Sequence, residues 1–153
     1  MTNGIRSQRI LLVEDSVDDY EATSRAFKKA SLLNPLTWVQ SGEEALKYLR
    51  HEGKYAQDPT CEKPGLILLD LNMPGLDGRK VLRLIKDDPE HRCIPVVILT
   101  TSNDERDVKT CYEYGASTYI QKPVSFDGLI QSIKGLKEYW FEIAILPKEK
   151  QDE

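Results

Sequence analysis

The sequence predicts an open α/β fold: a five-stranded parallel sheet with helices on both faces. Three observations predict it. Short unbroken apolar runs, among them Leu66 to Leu69 and Val96 to Leu99, end abruptly in polar residues, as expected of strands covered on both faces. Amphipathic stretches of helical period, opened by Ser or Asp, lie between these runs,. The alternation occurs five times, and strands joined through helices pair in parallel with right-handed crossovers.

The elements follow in order. Residues 1 to 8 are polar, with no apolar period, and are expected to be loose,. Arg9 to Val13 (RILLV) is the first strand, closed by Glu14-Asp15. Ser16 opens a helix near 17 to 30, with Asp19 three residues on as the acid of a capping box,. Tyr20, Phe27 and Ala30 supply its inner face, and Asn34-Pro35 breaks it,. Leu36 to Gln40 (LTWVQ) alternates and is rich in strand formers, which predicts a second strand near an edge,. Ser41-Gly42-Glu43-Glu44 is a capping box for a helix whose inner face carries Ala45, Leu46 and Leu49,. His51 to Gly65 is a long polar loop, predicted to be the least constrained segment,.

Residues 66 to 78, LILLDLNMPGLDG, are the centre of the chain. The strand runs into Asp70, followed by Asn72, Pro74 and Gly75. A helix starting at Asp77 or Gly78 turns Val81, Leu82 and Ile85 inward and ends near Asp88-Pro89,. Pro95 to Thr100 (PVVILT) is the fourth strand. Asp104 caps a helix with Val108, Cys111 and Tyr112 inward and Gly115 as its stop,. Thr118 to Gln121 is a short fifth strand, followed by Lys122-Pro123. Ser125 caps a last helix with Leu129, Ile130, Ile133, Leu136 and Trp140 on one side, and Pro147 bars its continuation into the charged tail,. The flavodoxin-like, doubly wound order 2-1-3-4-5 suits this alternation, although the residues alone do not select it.

The 153 residues favour one domain,. After Trp140 only 13 residues remain, against the ~50 of a small domain, so the expectation is a single domain over 1–153. Its core is expected over about 8–140, with an extension over 141–153 and no output domain. Net charge is −4 with acids and bases intermixed, which argues against a nucleic-acid surface. No apolar run reaches the ~20 residues of a membrane span, and no signal peptide opens the chain. Cys61, Cys93 and Cys111 are odd in number and lack metal-site spacing, consistent with reduced thiols and a cytoplasmic location.

In such a sheet ligands bind at the carboxyl ends of the strands. That edge collects Glu14 and Asp15 from the first strand, Asp70 and Asn72 from the third, Thr100 and Thr101 from the fourth and Lys122 from the fifth. Each has an ordinary explanation alone, as a helix cap, a solvated acid or a surface lysine. Together they predict a site. Gathered carboxylates repel unless a cation joins them, and an all-oxygen set suits Mg²⁺ better than Zn²⁺. A lysine and a hydroxyl could hold phosphate oxygens, leaving Asp70 as a nucleophile that forms an aspartyl phosphate.

The motifs VEDS at 13–16, DLNMPGLDG at 70–78, VVILTTS at 96–102 and YIQKP at 119–123 resemble the receiver domains of two-component response regulators over nearly the whole chain. The resemblance implies that Asp70 accepts phosphate from a sensor histidine kinase. It implies Mg²⁺ held by Asp15 and Asp70 directly, Asn72 through its backbone carbonyl and Glu14 through water. Thr100 and Lys122 would bind the phosphoryl group, Thr100 and Tyr119 would switch, and the Lys122–Pro123 bond would be cis. Thr101 stands where the family commonly has a smaller residue, which would narrow access to the phosphate. The loop HEGKYAQDPTCEKPG and the ending EYWFEIAILP further resemble regulators paired with cyanobacterial phytochrome kinases. The apolar residues of that ending imply a homodimer, and the absence of an output domain implies a downstream phosphotransfer or effector protein. Three rivals are weaker. A small-molecule phosphatase with an Asp nucleophile would need a second acid where Asn72 stands, a flavin carrier would need a phosphate-cradling loop where EDSVDD stands, and a degenerate receiver would lack part of the acid, hydroxyl and lysine set,.

Overall fold

The computed structural model describes residues 8–147. The looseness expected of residues 1 to 7 and the charged tail lie outside the described residues. Five strands, β1 (Ile10–Val13), β2 (Leu36–Val39), β3 (Leu66–Leu69), β4 (Val96–Thr100) and β5 (Thr118–Gln121), alternate with five helices. The helices are α1 (Val17–Lys29), α2 (Gly42–Arg50), α3 (Gly78–Asp87), α4 (Glu105–Glu113) and α5 (Phe126–Leu136). All strand pairs are parallel, in the order β2-β1-β3-β4-β5. The three central strands are buried throughout, and the two edge strands only in part.

Alternate residues of each strand face opposite sides, so the core has two halves. Leu11, Val13, Ile67, Leu69, Val96 and Ile98 pack with α2 and α3 and with Cys111 of α4. Ile10, Leu12, Leu66, Leu68 and Val97 pack with α1 and α5. Ser16, Ser41, Asp104 and Ser125 cap their helices as predicted, each accepting a backbone N–H from the first turn that follows, but the capping box expected at Ser41 does not close, because the Glu44 carboxylate takes the Gln40 N–H.

Four expectations need correction. The 51–65 segment is anchored: Gly53–Tyr55 forms a 3₁₀ turn, and Tyr55 and Cys61 are buried. The Tyr55 hydroxyl donates to Glu44 at 2.5 Å, and the Tyr48 hydroxyl to the Glu62 carbonyl at 2.7 Å. An aromatic residue amid polar ones gives no periodic signal, so the anchor was invisible in the pattern. On α4 only Cys111 is buried, whereas Tyr112 is exposed and accepts the Tyr119 N–H with its hydroxyl; a helix packed beside an edge strand buries a narrower stripe. No peptide bond among the described residues is cis. Lys122–Pro123 is therefore trans, the form an X–Pro bond favours by roughly 0.5–1 kcal/mol. Finally, α5 runs on as a π-helical segment, Lys137–Ile143, that ends before Pro147. Phe141 and Leu146 fold back onto the α1 and α5 half of the core, while Tyr139, Ile143 and Ile145 are exposed.

Candidate phosphoryl-acceptor site

Parallel register brings the chemistry together. Val13 pairs with Leu69, Leu69 with Ile98 and Ile98 with Tyr119, so β1 and β3 end level, β4 and β5 run two residues further, and their carboxyl ends share one edge. The Asp70 N–H donates to the Val13 carbonyl, and the Lys122 N–H to the Thr100 carbonyl. Side chains 108 residues apart therefore meet: the Lys122 ammonium donates to Glu14 Oε1 at 2.6 Å.

Around that ammonium stand Glu14, Asp19 at 3.0 Å and Asp70 at 3.8 Å. Carboxylate oxygens of Glu14, Asp15 and Asp70 all lie within 4.8 Å of one another. Glu14 and Asp70 are buried, and Asp15 is half-buried. Burial pushes the Glu14 carboxyl up to about 7, with Lys122 pulling it back and Asp70 adding to the rise. Burial works against the Lys122 ammonium, but Glu14, Asp70 and Asp19 outweigh it and hold the lysine above its ordinary value. Packed acids whose repulsion one lysine only partly relieves form a donor set that fits a hard divalent cation.

Thr100 is fully buried, and its Oγ1 accepts the Asn72 side-chain amide at 3.4 Å. The Asn72 N–H donates to Asp70 Oδ1 at 3.3 Å. Thr101 is exposed. Tyr119 is half-buried, with its hydroxyl donating to the Ser102 carbonyl at 2.9 Å. Gly78 explains the tight bend beneath Asp70: a Cβ there would stand 2.4 Å from the Asp70 carbonyl oxygen. Gly75 takes φ 78°, beside the Glu43 carboxylate that accepts the Leu76 N–H.

Every residue expected at the site thus lies at this edge, with Tyr119 on β5 and β4 standing between it and the strand that leads to Asp70. Sequence reasoning missed two. Asp19 does not close a capping box; its carboxylate turns to Lys122, and Glu14 Oε2 takes the Ser16 N–H instead. Trp38, read only as a strand residue, donates its indole N–H to the Glu14 carbonyl at 2.7 Å and stacks on Tyr20 at 4.0 Å. An acid four residues past the Glu14-Asp15 pair was the only signal for Asp19; nothing local marked Trp38.

A parallel sheet in this order with acids, a buried threonine and a lysine at one edge defines a receiver. Residues 10–134 match the response regulator receiver domain, and the chain belongs to that family, the signalling receivers of two-component systems. It is 39% identical over 138 residues to Response regulator Rcp1 of Synechocystis sp., covering 90% of this chain and 92% of that one. Among solved structures it resembles the phosphorylated cyanobacterial phytochrome response regulator RcpA, with a TM-score of 0.85, 41% identity and coverage of 93% of this chain and 99% of the other. It also resembles the Mn²⁺-bound form of Rcp1, with a TM-score of 0.83, 38% identity and coverage of 92% and 99%. No helix among the described residues is long and apolar enough to cross a membrane.

Proposed function

We propose that this chain is a single-domain response regulator that takes a phosphoryl group on Asp70 from a sensor histidine kinase, in a Mg²⁺-dependent reaction. The observation that carries the reading is the meeting of Glu14, Asp15 and Asp70 within 4.8 Å, with the Lys122 ammonium 3.8 Å from Asp70. An Asp70 carboxylate oxygen attacks phosphorus, the P–N bond to the donor histidine breaks, and the electron pair leaves with the imidazole. The product is an aspartyl phosphate. Glu14, Asp15, Asp70 and the Asn72 carbonyl would hold Mg²⁺, which when bound offsets the charge of carboxylates and phosphoryl oxygens. Lys122 supplies a positive charge and Thr100 a hydroxyl donor to the phosphoryl oxygens. Chemistry beyond this self-modification is not expected, and no nucleic acid or membrane partner enters.

Signalling would follow from a population shift in which Thr100 moves toward the phosphoryl group and Tyr119 repositions with the loop after β4. The Tyr119 bond to Ser102, on that loop, supports the coupling. Relatives named as phytochrome response regulators support a phytochrome-type kinase as partner and a cytoplasmic light pathway. A downstream phosphotransfer or effector protein would read the output. Exposed Tyr139, Ile143 and Ile145 support a homodimer through the C-terminal segment,; Ile143→Ser with Ile145→Ser should yield a monomer by mass in solution, and an unchanged mass rejects that surface.

The central test is incubation with acetyl phosphate and Mg²⁺, read by intact mass. The wild type should gain one phosphoryl group and Asp70→Asn none. Equal labelling of both would overturn the assignment.

A further inference from the structure

The Lys122 ammonium has three protons to give. Glu14 Oε1 at 2.6 Å and Asp19 Oδ2 at 3.0 Å take two of them, while Asp70 Oδ2 at 3.8 Å lies beyond hydrogen-bond reach,. The lysine of the unphosphorylated protein is thus held by acids other than the acceptor. Of these, Glu14 belongs to the buried trio. Asp19 does not: it sits in the first turn of α1, its side chain is 48% exposed, and it borders a hollow of about 220 Å³ between α1 and the start of α5. Its carboxylate has no capping duty, since the Ser16 N–H goes to Glu14.

We propose that Asp19 is a positioning residue that competes with the phosphoryl group for Lys122 and so sets how readily the site accepts one. This rests on Asp70 being the acceptor. A phosphoryl group there draws the ammonium toward itself, which lengthens its contacts to the acids that hold it now. Glu14 is buried, so no water takes the lysine's place beside it,. Asp19 is half-exposed, so water replaces the lysine at little cost. Its negative charge, one lysine away from the incoming dianion, also opposes entry. Both effects favour the unphosphorylated state, and removing the carboxylate shifts the balance toward the occupied one.

The test is the affinity for beryllofluoride, a mimic of the phosphoryl group, at fixed Mg²⁺ by calorimetry, with the lifetime of the acetyl-phosphate-labelled protein as a second readout. Asp19→Asn should bind beryllofluoride roughly two- to fivefold tighter, the range of an ion pair with one half-exposed member, and hold its phosphoryl group longer. Asp19→Ser, also neutral, should shift the same way. Asp18→Asn removes the same charge from the same helical turn at an exposed position that touches nothing in the site, and should match the wild type. Asp19 variants that bind no tighter than wild type, or Asp18→Asn shifting equally, would overturn the competition. A wild type that takes no phosphoryl group from acetyl phosphate would instead overturn the reading of Asp70.

Discussion

Glu14→Gln should stabilise the metal-free protein while weakening its hold on divalent cations. Glu14 is 2% exposed, and its carboxyl is raised from 4.5 to about 7 by burial first and by Asp70, against the pull of Lys122. A group raised on folding binds more protons folded than unfolded between those values, so stability falls as pH climbs from about 4.5 to about 7 and then levels,. At ~1.36 kcal/mol per unit the ceiling is roughly 3 kcal/mol. Gln keeps an acceptor for the Lys122 ammonium but forfeits the ion pair, so the net gain at pH 8 should be about 1–2 kcal/mol. Urea unfolding in EDTA measures it: the variant should exceed wild type at pH 8 and match it near pH 4.5. Added Mg²⁺ should then raise the wild type more, because ligand binding stabilises as RT ln(1 + [L]/Kd). A metal-free variant no more stable than wild type at pH 8 would refute the claim that packed acids strain this site.

Three further outcomes follow from the geometry. Gly78→Ala should cost about 1–3 kcal/mol in urea unfolding and weaken Mn²⁺ binding measured by electron paramagnetic resonance, because its Cβ would press on the Asp70 carbonyl at 2.4 Å,. Tyr119→Phe should lose roughly 0.5–1 kcal/mol by the same unfolding assay, since only the bond to the Ser102 carbonyl disappears,. Asp107 accepts from Arg79 at 2.8 Å and from the Ser102 hydroxyl at 2.7 Å, and the Arg79 hydrogen bond holds its carboxyl below the usual value. Its contribution is present above about pH 4 and lost as pH falls through the depressed value. Asp107→Asn should therefore cost about 0.5–1 kcal/mol at pH 7 and progressively less as pH falls through the depressed carboxyl value, as followed by thermal unfolding.

The amino-acid order by itself determined the elements and the chemical inventory of this protein. Runs such as Leu66–Leu69, bounded by turn residues, read as strands covered on both faces, the Ser and Asp caps mark where helices begin, and acids placed directly after such strands emerge at one edge of a parallel sheet. These are local signals, legible because period and capping act over a few residues. Only the tertiary structure decided which strands are neighbours, since an apolar run records that it is buried but not beside what. It also decided that Tyr55 and Cys61 pin the loop before β3, and that Phe141 and Leu146 return to their own core while Ile143 and Ile145 do not. The partners of Lys122 and the indole bond of Trp38 belong to the same class: Asp19 and Lys122 are 103 residues apart, and a contact across that separation is set by sheet register, which no short stretch of sequence encodes.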